Sequence, residues 1–208
     1  SESRVLVSGP TGSGKELVAR KIHKNSLRSK EPFVILNAAL LKEKTYEKEL
    51  FGEEIGENIS YGALERANKG TLLIDEVSEI PFETQANILR VLIDQKFKRL
   101  NGSKYINVNF RLISSTSKNL KELVKAGKFR EDLFHRLNVV PIELNSLSSK
   151  TEDIPLLMEY MLNNLKRNEK KPPKFSNDAI EVLKRHLWPG NIRELKNVLE
   201  RAYILFSD

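Results

Sequence analysis

The 208-residue sequence has no cysteine, one tryptophan and two methionines. Without cysteine there is no disulfide framework, no thiolate metal site and no cysteine nucleophile, so stability must come from packing and a cytoplasmic setting is expected. No apolar run approaches the roughly 18 to 20 residues that a bilayer span needs, and no charged leader precedes a signal-type apolar stretch, so no membrane partner is expected. What is present suffices for a core. At 39% hydrophobic residues the chain supports one large domain, or a domain with a satellite, and it is expected to fold and not to be disordered. Lys and Arg number 35 against 28 Asp and Glu, a net charge of +7, but the basic residues are scattered among acids and read as a lysine-rich composition, not a nucleic-acid footprint. The one local concentration, Lys166, Arg167, Lys170, Lys171 and Lys174 around Pro172-Pro173, reads as a solvated connector between helices. The chain opens on a strand-like run and ends directly after a helical one, as a piece of a longer protein would.

From Arg4 to about Leu144, short runs of Val, Ile and Leu alternate with stretches of helical period, the pattern of successive βαβ units and a parallel sheet. Five strands are predicted, at Arg4–Ser8, Phe33–Asn37, Thr71–Asp75, Asn109–Ser115 and Val139–Leu144, each apolar enough for burial on both faces. Helices are predicted over Lys15–Lys24, Glu83–Asp94, Leu120–Ala126 and Arg130–Leu137. After Ser146-Leu147-Ser148-Ser149 no strand-like run remains. Three amphipathic helices follow, at about Ile154–Lys166, Asn177–His186 and Ile192–Leu205, with Ser176 or Asn177 capping the second and Asn191 the third. The expected class is α/β with a small all-helical satellite, divided at residues 1–146 and 147–208.

Gly9-Pro10-Thr11-Gly12-Ser13-Gly14-Lys15 follows the first strand and opens the first helix, the context that a phosphate-binding P-loop requires. Glycines let the loop turn successive N–H groups inward toward a phosphate chain at a helix N-terminus, and Lys15 adds a mobile positive charge. Glu16 stands where a Ser or Thr hydroxyl would ordinarily reach magnesium. Asp75-Glu76 places two carboxylates at the C-terminal end of a buried strand, the edge where open parallel sheets hold ligands. Asp75 is expected to hold magnesium, directly or through water, and Glu76 to polarise a water for attack on the γ-phosphate.

These residues, with Asn37, resemble the central AAA+ ATPase domain of the NtrC-type bacterial enhancer-binding proteins, the regulators that remodel sigma-54 RNA polymerase. The resemblance covers nearly the whole chain, through Gly14-Lys15-Glu16-Leu17-Val18-Ala19-Arg20, Glu49-Leu50-Phe51-Gly52, Gly70–Glu76, Phe129-Arg130-Glu131-Asp132-Leu133, Arg136-Leu137-Asn138-Val139 and Trp188–Leu195. It implies a P-loop NTPase with a five-stranded parallel sheet and a helical lid, using ATP and Mg²⁺ and assembling into a hexameric or heptameric ring. A receiver domain upstream and a helix-turn-helix downstream are also implied, with DNA bound only through the latter. Glu after the lysine is common in that family, so Glu16 is no anomaly. By resemblance, Asn37 is the switch residue that holds Glu76. Arg130 and Arg136 are arginine fingers reaching a neighbouring subunit's site, and Arg193 is the lid's sensor arginine.

Two departures shape the expected function. The Gly-Ala-Phe-Thr-Gly-Ala loop signature that contacts the sigma factor is missing from Glu53–Glu65, which points to the NtrX-like branch and away from sigma-54 remodelling; Tyr61 in that stretch is expected to pack. Ser117 stands where many AAA+ proteins have an asparagine that senses the γ-phosphate, and its shorter reach implies slow hydrolysis. The expectation is an ATP-binding module that oligomerises through nucleotide and hydrolyses it, against the alternative of a nucleotide-gated scaffold with negligible turnover. Direct DNA binding is the weakest reading: the final helix carries Arg193, Lys196 and Arg201 but also Glu194 and Glu200, and commits Leu195, Val198, Leu199, Ala202 and Leu205 to packing.

Overall fold

Runs such as Val5-Leu6-Val7 and Leu72-Leu73-Ile74 have no polar face to offer water, and they come to rest inside one parallel sheet covered by helices. A computed structural model describes residues 2–42, 45–165 and 173–206. The chain forms two units, one of Ser1–Ser8 with Lys15–Glu143 and one of Gly9–Gly14 with Leu144–Asp208. Most of the predicted basic connector, Lys166, Arg167, Lys170, Lys171 and Pro172, lies outside the described residues.

In the first unit β1 (Val5–Ser8) leads to α1 (Lys15–Lys24) and β2 (Phe33–Asn37). Next come α2 (Tyr46–Phe51), a hairpin of β3 (Gly52–Ile55) and β4 (Asn58–Tyr61), and α3 (Ala63–Arg66). Then β5 (Thr71–Asp75) feeds α4 (Phe82–Asp94), and a second hairpin pairs β6 (Lys96–Phe97) with β7 (Ile106–Asn107). The unit ends with β8 (Arg111–Thr116), α5 (Leu120–Lys125), α6 (Glu131–Leu137) and β9 (Val140–Glu143).

The main sheet has the order β2-β5-β8-β1-β9 with every pair parallel. Its centre is dry: Leu72, Leu73, Ile74, Leu112 and Ile113 are all buried. Burial on both faces fails at the last strand, where Val140 is exposed and Pro141 lies in the strand. An edge strand has one unpaired side, so a proline without N–H is tolerated there. Phe129, Leu133 and Leu137 bring α6 onto the same core as Ile88 and Val91 of α4.

Both hairpins were unforeseen. The β3–β4 hairpin turns on Gly56-Glu57, with Gly56 at φ 60°, the left-handed backbone that short hairpin turns favour. Arg99 ties it down, bonding to Glu54 and, through two nitrogens, to Glu65. Tyr61 is 57% exposed, so the expectation that it packs is corrected. Its ring lies under the Arg99 guanidinium at 5.3 Å, which holds it at the surface.

His23 of α1 is buried, and its Nδ1 is 2.9 Å from the Thr71 hydroxyl. Burial, seconded by the nearby Arg111 charge, lowers its pKa below 6.5. The folded protein therefore binds fewer protons at this site than the unfolded chain. The stability it contributes is complete above pH 6.5 and is lost as pH falls below that value toward the folded pKa. Urea midpoints measured at pH 7.5 and about pH 5.5 are expected to fall more for the wild type than for His23→Gln. Equal falls would contradict the assignment.

In the second unit, α7 (Ile154–Leu165), α8 (Asn177–Arg185) and α9 (Asn191–Phe206) enclose Leu147, Ile154, Met158, Leu162, Trp188, Leu195 and Leu199. The Ser176 side chain accepts from Ala179 N and caps α8 as expected. Trp188 buries its ring and donates its indole N–H to Leu183 O at 2.8 Å. On α9, Leu195 and Leu199 are buried, but Val198 and Leu205 are exposed, against the sequence expectation. Asn191 does not cap α9 from outside: it is the helix's first residue, and its side chain serves other partners described below. Among the described residues no helix is long and apolar enough to cross a membrane.

Candidate functional site

The parallel register sets the site in the first unit. Asn37 is paired with Asp75 across β2 and β5, and Ile74 with Ser114 across β5 and β8, so the ends of three adjacent strands bring Asn37, Asp75 and Ser115 side by side. Asn37 Nδ2 donates to Asp75 Oδ2 at 3.1 Å, and Ser115 Oγ donates a short hydrogen bond to Asp75 Oδ1. Asn37 Oδ1 meanwhile accepts from Ala39 N at 3.1 Å. The resemblance gives Asn37 the partner Glu76; in this structure its amide is engaged with Asp75. The reason is register. Residues level on neighbouring parallel strands point to the same face, and Glu76 lies one position beyond.

Glu76 leaves the strand with φ 55° and ψ 56°, a left-handed conformation unusual for a residue with a Cβ. Its N–H donates to Ser115 Oγ at 3.2 Å. Its Oε1 lies 3.1 Å from Lys15 Nζ, and its Oε2 accepts from both Ser117 N and Ser117 Oγ, each at 2.8 Å. Burial by itself would raise the carboxyl pKa, but the two Ser117 hydrogen bonds and the Lys15 ammonium outweigh it, and the group is held below its ordinary value. Glu76 is thus an ionised carboxylate whose geometry is fixed from both oxygens. Lys15, the first residue of α1, is itself buried.

Glu16 is turned to its own helix, with Oε1 2.8 Å from Arg20 Nε in an exposed i, i+4 pair. Arg130 stands immediately before α6; its N–H donates to Gln85 Oε1 at 2.9 Å and its guanidinium grips Asp132 through two nitrogens at 3.1 and 2.8 Å. Arg136 donates to Leu92 O at 3.1 Å, a carbonyl it shares with Arg4 at 3.2 Å, while its Nε is buried with no hydrogen-bond partner among the described residues.

The second unit contains Gly9–Gly14 of the phosphate motif. Gly9, Gly12 and Gly14 all have positive φ, at 153°, 79° and 95°. A Cβ on Gly12 would collide with Gly190 O, so only glycine allows this approach. The loop is tied to the start of α9: Asn191 Nδ2 donates to Thr11 O at 3.0 Å, and Arg193 N to Gly12 O at 3.3 Å. Asn191 Oδ1 also accepts from Leu147 N at 2.9 Å. Ser13 N donates to Pro10 O at 3.2 Å, which closes the turn. The Ser13 hydroxyl is buried without a hydrogen-bond partner among the described residues, a donor suited to a phosphate oxygen. The Arg193 side chain is exposed.

Sequence reasoning missed Ser115 and the tether made by Asn191. The first was open to inference once β8 is placed beside β5, because a level register puts a hydroxyl next to Asp75. Asn191 gave no such signal, since Asn before a helix reads as a cap. Magnesium fits the donor set in a limited way. Asp75 offers hard carboxylate oxygens held only by neutral donors, yet among the described residues no group of three or more His, Asp or Glu could hold a metal ion. The remaining ligands would have to be phosphate oxygens and water, the usual magnesium arrangement.

A sigma-54 interaction domain model matches residues 1–143, and an AAA+ ATPase lid domain model matches residues 148–208. The chain is 47% identical over 208 residues to the nitrogen assimilation regulatory protein NtrX of Azorhizobium caulinodans, covering 99% of this chain and 46% of that protein. It is 45% identical over 213 residues to the regulatory protein AtoC of Escherichia coli, covering 100% of this chain and 46% of that protein. The crystal structure of NtrX from Brucella abortus in complex with ATP superposes with a TM-score of 0.92 at 48% identity, covering 99% of this chain and 48% of that one. The chain thus spans just under half the length of these relatives.

Proposed function

We propose, from the premise that this chain belongs to the sigma-54 interaction domain family of AAA+ P-loop NTPases, that it binds ATP with Mg²⁺, assembles with copies of itself and hydrolyses the nucleotide. It is the AAA+ domain of an NtrX-like bacterial regulator; the receiver domain upstream, the helix-turn-helix downstream and a cytoplasmic setting belong to the proposal. So does the division into a nucleotide-binding subdomain, residues 1–146, and a lid, residues 147–208.

The observation that carries the reading is Lys15 Nζ at 3.1 Å from Glu76 Oε1, beside Asp75 at the C-terminal end of β5. A lysine that follows Gly9-Pro10-Thr11-Gly12-Ser13-Gly14 in sequence is poised for the β- and γ-phosphates, and an ionised carboxylate next to it is placed to accept a proton from water. Asp75 would hold the magnesium ion, which supplies charge neutralisation on the phosphate oxygens. Arg130 and Arg136 are the candidates for a neighbouring subunit's γ-phosphate, and Arg193 for the nucleotide of its own subunit. A ring of six or seven subunits would bring those arginines into use. The compact β3–β4 hairpin, pinned by Arg99 where sigma-54 activators carry their contact loop, speaks against remodelling of sigma-54 polymerase.

The second reading, a nucleotide-gated scaffold with negligible turnover, is favoured by Arg130 being gripped by Asp132 within its own chain. Turnover measured across protein concentration separates the two. The rate per subunit is expected to rise with concentration, and Arg130→Ala to lower it by about 10³-fold, as loss of an arginine finger does. A size increase with ATP in sedimentation without phosphate release would leave the scaffold. Equal, concentration-independent rates would overturn the enzymatic reading.

A further inference from the structure

Val18, Lys21, Ile22 and Asn25 recur at the i, i+3, i+4, i+7 spacing that puts residues on one face of α1 and of the residue just past its end. α1 meets the sheet through Ala19 and His23, and this neighbouring face borders a cavity of about 390 Å³. Ser26 and Arg111, the first residue of β8, complete its walls. Val18 and Ile22 are half-buried, whereas Arg111 is only 7% exposed. The Arg111 Nε donates to Ser3 O at 3.2 Å, and its two terminal nitrogens have no hydrogen-bond or ion-pair partner among the described residues. A buried guanidinium without a carboxylate is costly, because arginine stays charged and its donors keep their fixed directions. Lys21, at the rim, also has no acidic partner among the described residues. The Ser26 hydroxyl is already occupied, donating to His23 O at 2.7 Å and accepting from Arg28 N at 3.1 Å.

The cavity lies at the sheet edge opposite the carboxylates. Arg111 is level with Thr71 across β8 and β5, and Asp75 lies four residues further along β5, about 13 Å by the rise of an extended strand. The end of a helix carries partial negative charge, which Lys21 and Lys24 in the last turn of α1 offset. What the lining offers decides the ligand class. A polyphosphate needs several donors around each phosphoryl group, and here there is one deep cation, one cation at the rim and two aliphatic side chains. A single planar fork backed by aliphatic walls suits a carboxylate with a hydrocarbon body, in a space at the small end of ligand pockets. We propose that this cavity binds a small organic carboxylate, with its oxygens on the Arg111 guanidinium, Lys21 closing over them and its hydrocarbon body against Val18 and Ile22. The site does not depend on nucleotide.

Hexanoate is the probe, titrated by NMR into the 208-residue chain. Saturable binding is expected with Kd about 1 mM, in keeping with so few heavy atoms. Acetate and inorganic phosphate, which lack the hydrocarbon body, are expected to bind at least about tenfold more weakly. Arg111→Met is expected to weaken hexanoate about tenfold or more, and Lys21→Ala about threefold. Lys21 is exposed, so its variant folds even if Arg111→Met does not. His23 localises the ligand: after burial, the Arg111 charge is the second cause that lowers its pKa, so a carboxylate paired with Arg111 is expected to raise it in an imidazole titration. No saturable binding, an unchanged His23 titration, or wild-type affinity in Lys21→Ala or in folded Arg111→Met would overturn the site. Phosphate binding as tight as hexanoate would overturn the ligand class, and displacement of hexanoate by ATP would place the ligand at the phosphate motif instead. Binding that vanishes in the longer regulator, with its upstream residues present, would make the cavity a seat for the polypeptide's own upstream segment and overturn the proposal.

Discussion

Lys15→Ala is expected to weaken ATP binding about 100-fold or more and to abolish turnover. A buried ammonium facing a polyphosphate makes charge-assisted contacts worth about 3 kcal/mol together, and each 1.4 kcal/mol is a factor of ten in affinity. The substitution also strands Glu76, whose Oε1 loses its cation while the side chain stays only 16% exposed. Removing one partner of such a pair costs about 3 kcal/mol or more when the other stays charged, so the variant should also unfold at lower urea concentration. The double variant Lys15→Met with Glu76→Gln separates the two effects: it removes both charges, recovers most of the lost stability and still fails to bind ATP. Calorimetry and urea denaturation on the three proteins check this. An alanine variant that binds ATP within about threefold of the wild type would contradict the phosphate role of Lys15.

The second large effect is expected at Glu76. Glu76→Gln keeps the size of the side chain and its ability to accept from Ser117, but removes the basic oxygen, and phosphate release is expected to fall by about 10² to 10⁴-fold, the range of a lost general base. Nucleotide binding should be retained, opposite to the outcome for Lys15→Ala. That opposition is informative, because a general loss of structure would lower both binding and turnover in either variant. Single-turnover phosphate release alongside equilibrium binding reads the two quantities apart. Full activity in Glu76→Gln would remove Glu76 from the chemistry.

The sheet was legible because its central strands carry their whole story in local sequence. Thr71-Leu72-Leu73-Ile74-Asp75 is apolar where it is buried on both faces and acidic where it emerges. The strand at Val140–Glu143 reads almost as apolar, but its position at the edge is set by strand order, a property of the whole chain, and Pro141 was the one local hint. The two hairpins were missed for a similar reason. Glu53–Tyr61 mixes charged and apolar residues with little alternation, and what stabilises it is Arg99, distant in sequence, reaching Glu54 and Glu65.

The site divides along the same line. Asp75, Glu76 and Lys15 could be named because each sits in a short motif whose chemistry depends on neighbours in sequence. The partnering of Asn37 with Asp75, and of Ser117 with Glu76, depends on which strands lie level and on one left-handed residue, neither of which is encoded in a motif. The same holds for Asn191, whose amide spans from Leu147 N to Thr11 O across a long separation in sequence. Local pattern pointed to the groups proposed to perform chemistry, and topology decided which residues hold them.

The most direct measurement is isothermal calorimetry of the folded 208-residue chain with ATP, with and without Mg²⁺. The account predicts saturable binding at one site per chain, strengthened by Mg²⁺ and lost in Lys15→Ala. A folded wild-type chain that gives no binding heat with millimolar ATP in either condition, and no competition by ADP for a fluorescent nucleotide, would contradict it.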